Sequence, residues 1–135
     1  MLKIPEPAVA PQCSVDYAFQ RIGGKYKGRI LWHLSRGTLR YGALRRCITG
    51  VTPKMLTQAL RELEEDHLVH RQVYPEVPPR VEYALTETGK ELVPFISLLR
   101  SWGEKEMERN GVPSLGKVTA CLLQAEGQGQ NGSRL

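Results

Sequence analysis

Apolar positions along this chain change their spacing twice, and the changes divide it into helical and extended parts. Val15, Ala18, Phe19 and Ile22 follow the 0, 3, 4, 7 spacing of one helical face. Ser14 is placed to cap that helix, Asp16 lies in its first turn, and Gly23-Gly24 closes it. Tyr26, Ile30, Leu31 and Leu34 predict a second helix that stops near Gly37, followed by a short extended link at Thr38-Leu39-Arg40. Tyr41 to Ile48 reads as a short third helix with Leu44 and Ile48 inward, and Thr49-Gly50-Val51 as a tight turn. Thr52-Pro53 then places a capping residue before a proline at the first helical position, which starts a fourth helix running to about His67. Leu56, Ala59, Leu60 and Leu63 form its buried stripe.

Beyond that helix the period falls from 3.6 to 2. Val69, Arg71 and Val73 alternate with His70, Gln72 and Tyr74, and Val81, Tyr83 and Leu85 alternate with Glu82 and Ala84. The two runs flank Pro75-Glu76-Val77-Pro78-Pro79-Arg80, so they predict a hairpin with a proline-rich loop. The helical period then returns: Thr86 is placed to cap a long last helix from Glu87 to about Arg109, kinked at Pro94. The expected fold class is mainly α with a small β-hairpin wing (α+β). Residues 1–12 carry three prolines and read as a flexible arm, 13–109 as the folded domain, and the Gly-, Gln- and Ser-rich 110–135 as a disordered tail.

A short helix, a glycine-containing turn and a second, well-capped helix make a helix-turn-helix, and a hairpin straight after it makes it winged. The fourth helix divides between faces. Opposite its buried stripe stand Lys54, Thr57, Gln58 and Arg61, none acidic and all able to donate hydrogen bonds. On a recognition helix such residues reach base edges in the major groove: Gln58 suits adenine, and Arg61 suits guanine or phosphate. Thr52 and the free amides of the first turn suit a phosphate. Arg40, with Arg45 and Arg46, is placed for backbone phosphates, the alternative being that some of the three are only solvated. Arg80, at the end of the hairpin loop, either reaches the minor groove or a phosphate, or is one solvated cation on a rigid turn.

Charge strengthens this picture. The net charge is +5, but its distribution says more: Arg21 to Arg61 holds ten basic residues and no acid, and Glu62, Glu64, Glu65 and Asp66 follow at once. A stretch of one sign calls for a polyanionic partner, of which a phosphate backbone is the commonest, or else is a solvated basic face. The last helix carries Leu92, Phe95, Ile96, Leu98, Leu99, Trp102 and Met107, a wider stripe than one core contact needs. Phe19 on the first helix with Leu92, Phe95, Ile96, Leu99 and Trp102 is therefore the expected dimer interface, which suits a palindromic operator whose half-sites lie about 34 Å apart. The bland alternative is that both faces pack within one domain.

Other classes find little support. No apolar run approaches the ~20 residues of a membrane span, and the first residues lack the build of a signal peptide, so a cytoplasmic protein without a membrane partner is expected. Cys13, Cys47 and Cys121 are too far apart for a CxxC or zinc motif and are expected as free thiols. His33, His67 and His70 form no set with a cysteine or acid, and no phosphate-cradling loop occurs, so no catalytic residue, metal or cofactor is expected. A winged helix that binds protein and not DNA remains the competing reading. Such modules usually lose the positive outer face, which Lys54 and Arg61 keep here.

A long ordered pattern adds to this. Ile22-Gly23-Gly24-Lys25-Tyr26, Arg40-Tyr41, Gly50-Val51-Thr52, Lys54-Met55-Leu56-Thr57, Leu63-Glu64, Asp66, Leu68-Val69, Val81-Glu82-Tyr83, Leu85-Thr86, Gly89 and Trp102-Gly103 together resemble the HxlR family, a MarR-like branch of winged-helix regulators. The match spans about residues 13–107. The resemblance implies dimeric transcription regulators, most simply repressors, often responsive to an oxidant or small electrophile as inducer. Cys13 falls where many members place a sensing cysteine, and a thiol near a helix N-terminus and basic residues favours the reactive thiolate. A buried structural cysteine is the alternative. Cys47 reads as packing, and Cys121 as an incidental tail residue. The chain departs from the family in having Tyr26 for a usual tryptophan, Ser14 for a usual proline, Ala43 for an acid and His67 for a glycine.

Overall fold

The computed structural model describes residues 10–113. The arm over its first nine residues, most of the expected tail and Cys121 lie outside the described residues. Among the described residues six helices and three strands follow in the order α1 (Ser14–Ile22), α2 (Lys27–Leu34), β1 (Leu39–Arg40), α3 (Tyr41–Cys47), α4 (Pro53–Glu65), β2 (Val69–Tyr74), β3 (Arg80–Leu85), α5 (Glu87–Glu91) and α6 (Val93–Arg109).

The core forms where the inward stripes of α2, α3 and α4 meet. Ile30, Leu31, Leu44, Ile48, Leu56, Leu60 and Leu63 are almost wholly buried, and Val69, Tyr83 and Leu85 close the core from the sheet. Each full burial of such an aliphatic side chain contributes about 1.5–3 kcal/mol, so this stripe, more than helix propensity, holds α4 in place. Among the described residues His33 is the one buried polar side chain, and its Nδ1 has no hydrogen-bond partner among them. Burial first, and the Arg29 guanidinium second, hold its pKa below the usual histidine value, so the ring stays neutral.

The strand prediction needs enlarging. Leu39–Arg40 pairs antiparallel with β3, Leu39 opposite Tyr83 and Arg40 opposite Glu82, so the wing is a three-stranded sheet of order β1-β3-β2. Two residues are too few to display an alternation, and only the free edge of β3 makes them a strand. The register of β2 with β3 runs from Val69 opposite Leu85 to Tyr74 opposite Arg80, which puts Pro75 to Pro79 in the connecting loop.

Three local expectations also change. Cys13, not Ser14, caps α1: its Sγ accepts from the Asp16 N–H at 3.5 Å. The long last helix is two helices. Leu92 N–H closes on the Gly89 carbonyl at 3.1 Å, and α6 restarts with Pro94 in its first turn, where a missing N–H does no harm. His67 ends α4 at φ 59°, a left-handed conformation that costs an L-residue about 1–2 kcal/mol. Here the Leu68 N–H returns to the Leu63 carbonyl at 2.9 Å, the helix-closing bond usually associated with glycine.

Thr86 locks this end of α4 to the next element. Its Oγ1 donates to the His67 carbonyl at 2.6 Å and accepts from the Gly89 N–H at 3.0 Å. Gly89 lies so close beneath the Leu68 carbonyl that a Cβ there would collide with backbone.

Candidate nucleic-acid interface

Threonine, proline and the amphipathic run after them produce a helix whose outer side is left to solvent. Thr52 caps α4 by accepting the Met55 N–H on Oγ1 at 3.1 Å. That bond uses a lone pair, so the hydroxyl proton remains for an outside acceptor such as a phosphate oxygen. Lys54, Gln58 and Arg61 are exposed and fall at one helical face by their spacing of four and three. Met55 is exposed beside them. The structure therefore brings Thr52, Lys54, Gln58 and Arg61 onto one open surface.

Thr57 is half-buried and engaged with the preceding helix. The Tyr41 hydroxyl lies 3.2 Å from the Pro53 carbonyl and 3.4 Å from Thr57 Oγ1, which ties α3 to the first turns of α4. The turn between the helices is braced from α2: Tyr26 donates its hydroxyl to the Gly50 carbonyl at 3.4 Å, and Arg29 Nη2 donates to the Thr49 carbonyl at 3.3 Å. Gly50 has φ +87°, a conformation that only glycine adopts cheaply. Part of the basic stretch thus has structural work, because Arg29 spends its guanidinium on the turn.

Arg40 is exposed at the cap of α3, and Arg45 and Arg46 are exposed on that helix. Arg80 departs from the expected cation at the wing tip. It begins β3, with its guanidinium 3.9 Å over the Tyr74 ring, 3.3 Å from Glu76 and 3.6 Å from Glu82. A stacked arginine between two carboxylates is already neutralised, so any phosphate must compete with both. The tip itself presents Val77, which is fully exposed, between prolines. Sequence alone missed this because the carboxylates reach Arg80 only once the hairpin has closed.

Two of the acids after Arg61, Glu62 and Asp66, are also held. Lys27 Nζ lies 2.8 Å from Glu62, and Arg21, which stacks 4.2 Å over Tyr17, lies 3.7 Å from Asp66. Glu62 further accepts from Gln58 Nε2 at 2.7 Å. Tyr41, Tyr26, Lys27 and Glu62 are positioning residues that sequence reasoning did not single out. Only the i, i+4 spacing of Gln58 and Glu62 was a readable signal.

The second surface is apolar. On α1 and α6, Val15, Phe19, Phe95, Leu98, Leu99 and Trp102 are exposed, Leu98 by 72% and Trp102 by 64%. Phe19 and Phe95 meet edge to face with centroids 6.5 Å apart, at a shallow apolar depression between α1 and α6. Two residues expected on this surface are not there. Ile96 is buried in the protomer's own core and Leu92 packs against that core, because they fall on the side of the helix that faces inward. Arg100 lies 5.0 Å over the Trp32 ring and fastens α6 to α2.

Cys13 is exposed and free at the end of this surface. Cys47 is buried and disulfide-bonded, not the free thiol expected from the spacing of the cysteines. Sulfur pairing depends on approach in space, which spacing along the chain does not reveal. Among the described residues no group of three His, Cys, Asp or Glu is placed to hold a metal ion, and no helix is long and apolar enough to cross a membrane.

Comparison with known proteins agrees with this arrangement. The family model described as HxlR-like helix-turn-helix matches residues 21–111. An HTH-type transcriptional regulator of Methanothermobacter thermautotrophicus is 51% identical over 92 residues, which are 68% of this chain and 70% of that protein. Among solved structures, the redox regulator HypR in its oxidized form is similar with a TM-score of 0.67 and 46% identity, over 69% of this chain and 96% of that one. Its reduced form is similar with a TM-score of 0.70 and 42% identity, over 75% of this chain and 100% of that one. These similar proteins are transcription regulators, not enzymes.

Proposed function

Because this chain belongs to the HxlR-like helix-turn-helix family of transcription regulators, we propose that it is a sequence-specific DNA-binding repressor, working as a homodimer on a palindromic operator and released by an oxidant or electrophile that reacts at Cys13. The observation that carries the reading is the open face of α4. Thr52, Lys54, Gln58 and Arg61 form one donor-rich surface over the first turns of α4, with the exposed acid Glu65 a turn further on, at the far end of the helix. A polyanion is the natural complement of such a face, and α4 is capped and braced so that its first turns are rigid. Exposed Arg40, Arg45 and Arg46 extend the positive surface towards flanking phosphates.

A gel-shift at two salt concentrations tests this. Phosphate contacts release counterions, so six to ten of them imply a loss of roughly 10³–10⁵ in affinity between 50 and 200 mM salt. Arg61→Ala should weaken operator binding by about 1–3 kcal/mol, while analytical ultracentrifugation finds the dimer intact. Operator affinity unchanged by this substitution would remove Arg61 from the interface. A salt-independent complex, or none at all with any DNA, would favour a protein-binding module instead.

The reading of Cys13 draws on two supports. Its thiol is exposed beside the apolar surface at which the partner is proposed to dock. HypR, a similar protein, is a redox regulator with oxidized and reduced forms. Cys13→Ser should abolish diamide-induced release from DNA while leaving binding under reducing conditions intact. Release of the serine variant by diamide would acquit Cys13.

A further inference from the structure

Building on the reading of α4 as a base-reading helix, we propose that Glu62 and Lys27 are positioning residues that pin the amide of Gln58 and so set a preference for adenine at one base pair of each half-site. Gln58 stands exposed on the outer face of α4, one turn before Glu62. Its Nε2 donates to Glu62 Oε2 at 2.7 Å. A carboxylate only accepts, so the amide nitrogen and not the amide oxygen must face it, and the orientation of the amide follows from chemistry. The other carboxylate oxygen, Oε1, is held by Lys27 Nζ at 2.8 Å. The two oxygens of Glu62 therefore hold two different tasks: one binds the lysine at the start of α2, the other the glutamine on the reading face.

The anchor is firmer than an ordinary surface pair. The Lys27 side chain is 13% exposed and that of Glu62 28%. Pairs shielded to this degree are less weakened by salt than solvent-exposed ones. Lys27 also compensates the charge of Glu62, without which an acid one turn from a base-reading side chain would repel the phosphates beside it.

Pinning leaves Gln58 with an outward acceptor, Oε1, and one remaining N–H beside it. Adenine presents the complement in the major groove, an N6 amine that donates and an N7 that accepts. Guanine O6 and thymine O4 would set oxygen against oxygen. A glutamine free to turn its amide over could satisfy those bases as well. Glu62 and Lys27 thus act on specificity through Gln58 without touching DNA.

The test uses the full-length protein and the operator obtained by selection from random DNA. Competition binding then compares the four bases at the position that depends on Gln58, for wild type, Gln58→Ala, Glu62→Ala, Lys27→Met, Glu62→Gln and the double variant Gln58→Ala/Glu62→Ala. Wild type should favour adenine there by about tenfold, within the range of one bidentate contact. Glu62→Ala and Lys27→Met should both bring the four bases to within about twofold. Glu62→Gln, which keeps an acceptor carbonyl in reach of Gln58, should restore most of the preference. In the double variant the base ratios at that position should equal those of Gln58→Ala alone. A merely structural loss would weaken all four operators alike and leave the ratios where they were.

Unchanged ratios in both Glu62→Ala and Lys27→Met would overturn the proposal while leaving DNA recognition standing. So would a Gln58-dependent preference for another base, or a Glu62 effect that persists without Gln58. If wild type selects no sequence, the DNA-reading assignment of α4 fails, and the role given to Glu62 and Lys27 falls with it.

Discussion

Replacing Phe95 by glutamate is expected to turn the proposed dimer into monomers and to lower operator affinity by two or more orders of magnitude. Phe95 is part of the exposed apolar surface on α1 and α6, edge to face with Phe19 and next to Leu98, Leu99 and Trp102. Among the described residues these side chains are exposed on their outer side, so the charge costs the isolated chain less than it would in a core. Across a two-fold interface each protomer would bury a carboxylate without a partner, at about 2–5 kcal/mol. The second effect follows from geometry. A dimer holds its second α4 near the second half-site, so one bound half raises the effective concentration of the other, and linkage of this kind is worth roughly 10²–10⁴ in affinity. Sedimentation should find monomers at concentrations where wild type is dimeric, and a gel-shift should find weak binding with a fold like that of wild type by circular dichroism. A variant that stays dimeric would place the interface elsewhere. The same substitution at Ile96 would be uninformative, because that side chain is in the protomer's own core.

Gly89→Ala is expected to have the largest effect on stability, about 3 kcal/mol, near the upper end for overpacking at a rigid site. The obstacle is backbone: the Leu68 carbonyl stands where the new methyl would go, and Leu85 closes the other side. That carbonyl cannot step aside freely, because it accepts the Thr86 N–H at 3.1 Å. Relief would pull α5 from the end of α4 and weaken the bonds of Thr86 to His67 and Gly89. For a domain of this size the loss corresponds to a fall of roughly 10–20 °C in Tm. Thermal unfolding with and without operator DNA would measure it, and a melting temperature within a few degrees of wild type would show that α5 can shift without consequence. Alanine at Gly28, where a Cβ has open space, is the natural control.

Glycine at position 89 also illustrates what could be read along the chain. The residue belongs to the pattern by which the family is recognisable, yet nothing local says why it must be small. Its reason is an approach between α5 and the segment after α4, twenty-one residues apart in the chain. Arg80 teaches the same lesson with charge. Its position at the end of a proline-rich loop was plain, but its stacking on Tyr74 and its two carboxylates arise from the register of β2 against β3.

Local periodicity was sufficient for the helices that carry the proposed reading face, for the hairpin, and for the start of α4 at Thr52-Pro53, because side-chain period and capping act within a few residues. It was sufficient, too, for the outward placement of Lys54, Gln58 and Arg61, which follows once the buried stripe is known. Folding in three dimensions alone settled the third strand, the inward turn of Leu92 and Ile96, the neutralised Arg80 and the Lys27–Glu62–Gln58 chain. Each of these depends on atoms brought together from distant parts of the chain, and their energies come from packing and desolvation at the meeting point, quantities with no local trace in composition or spacing.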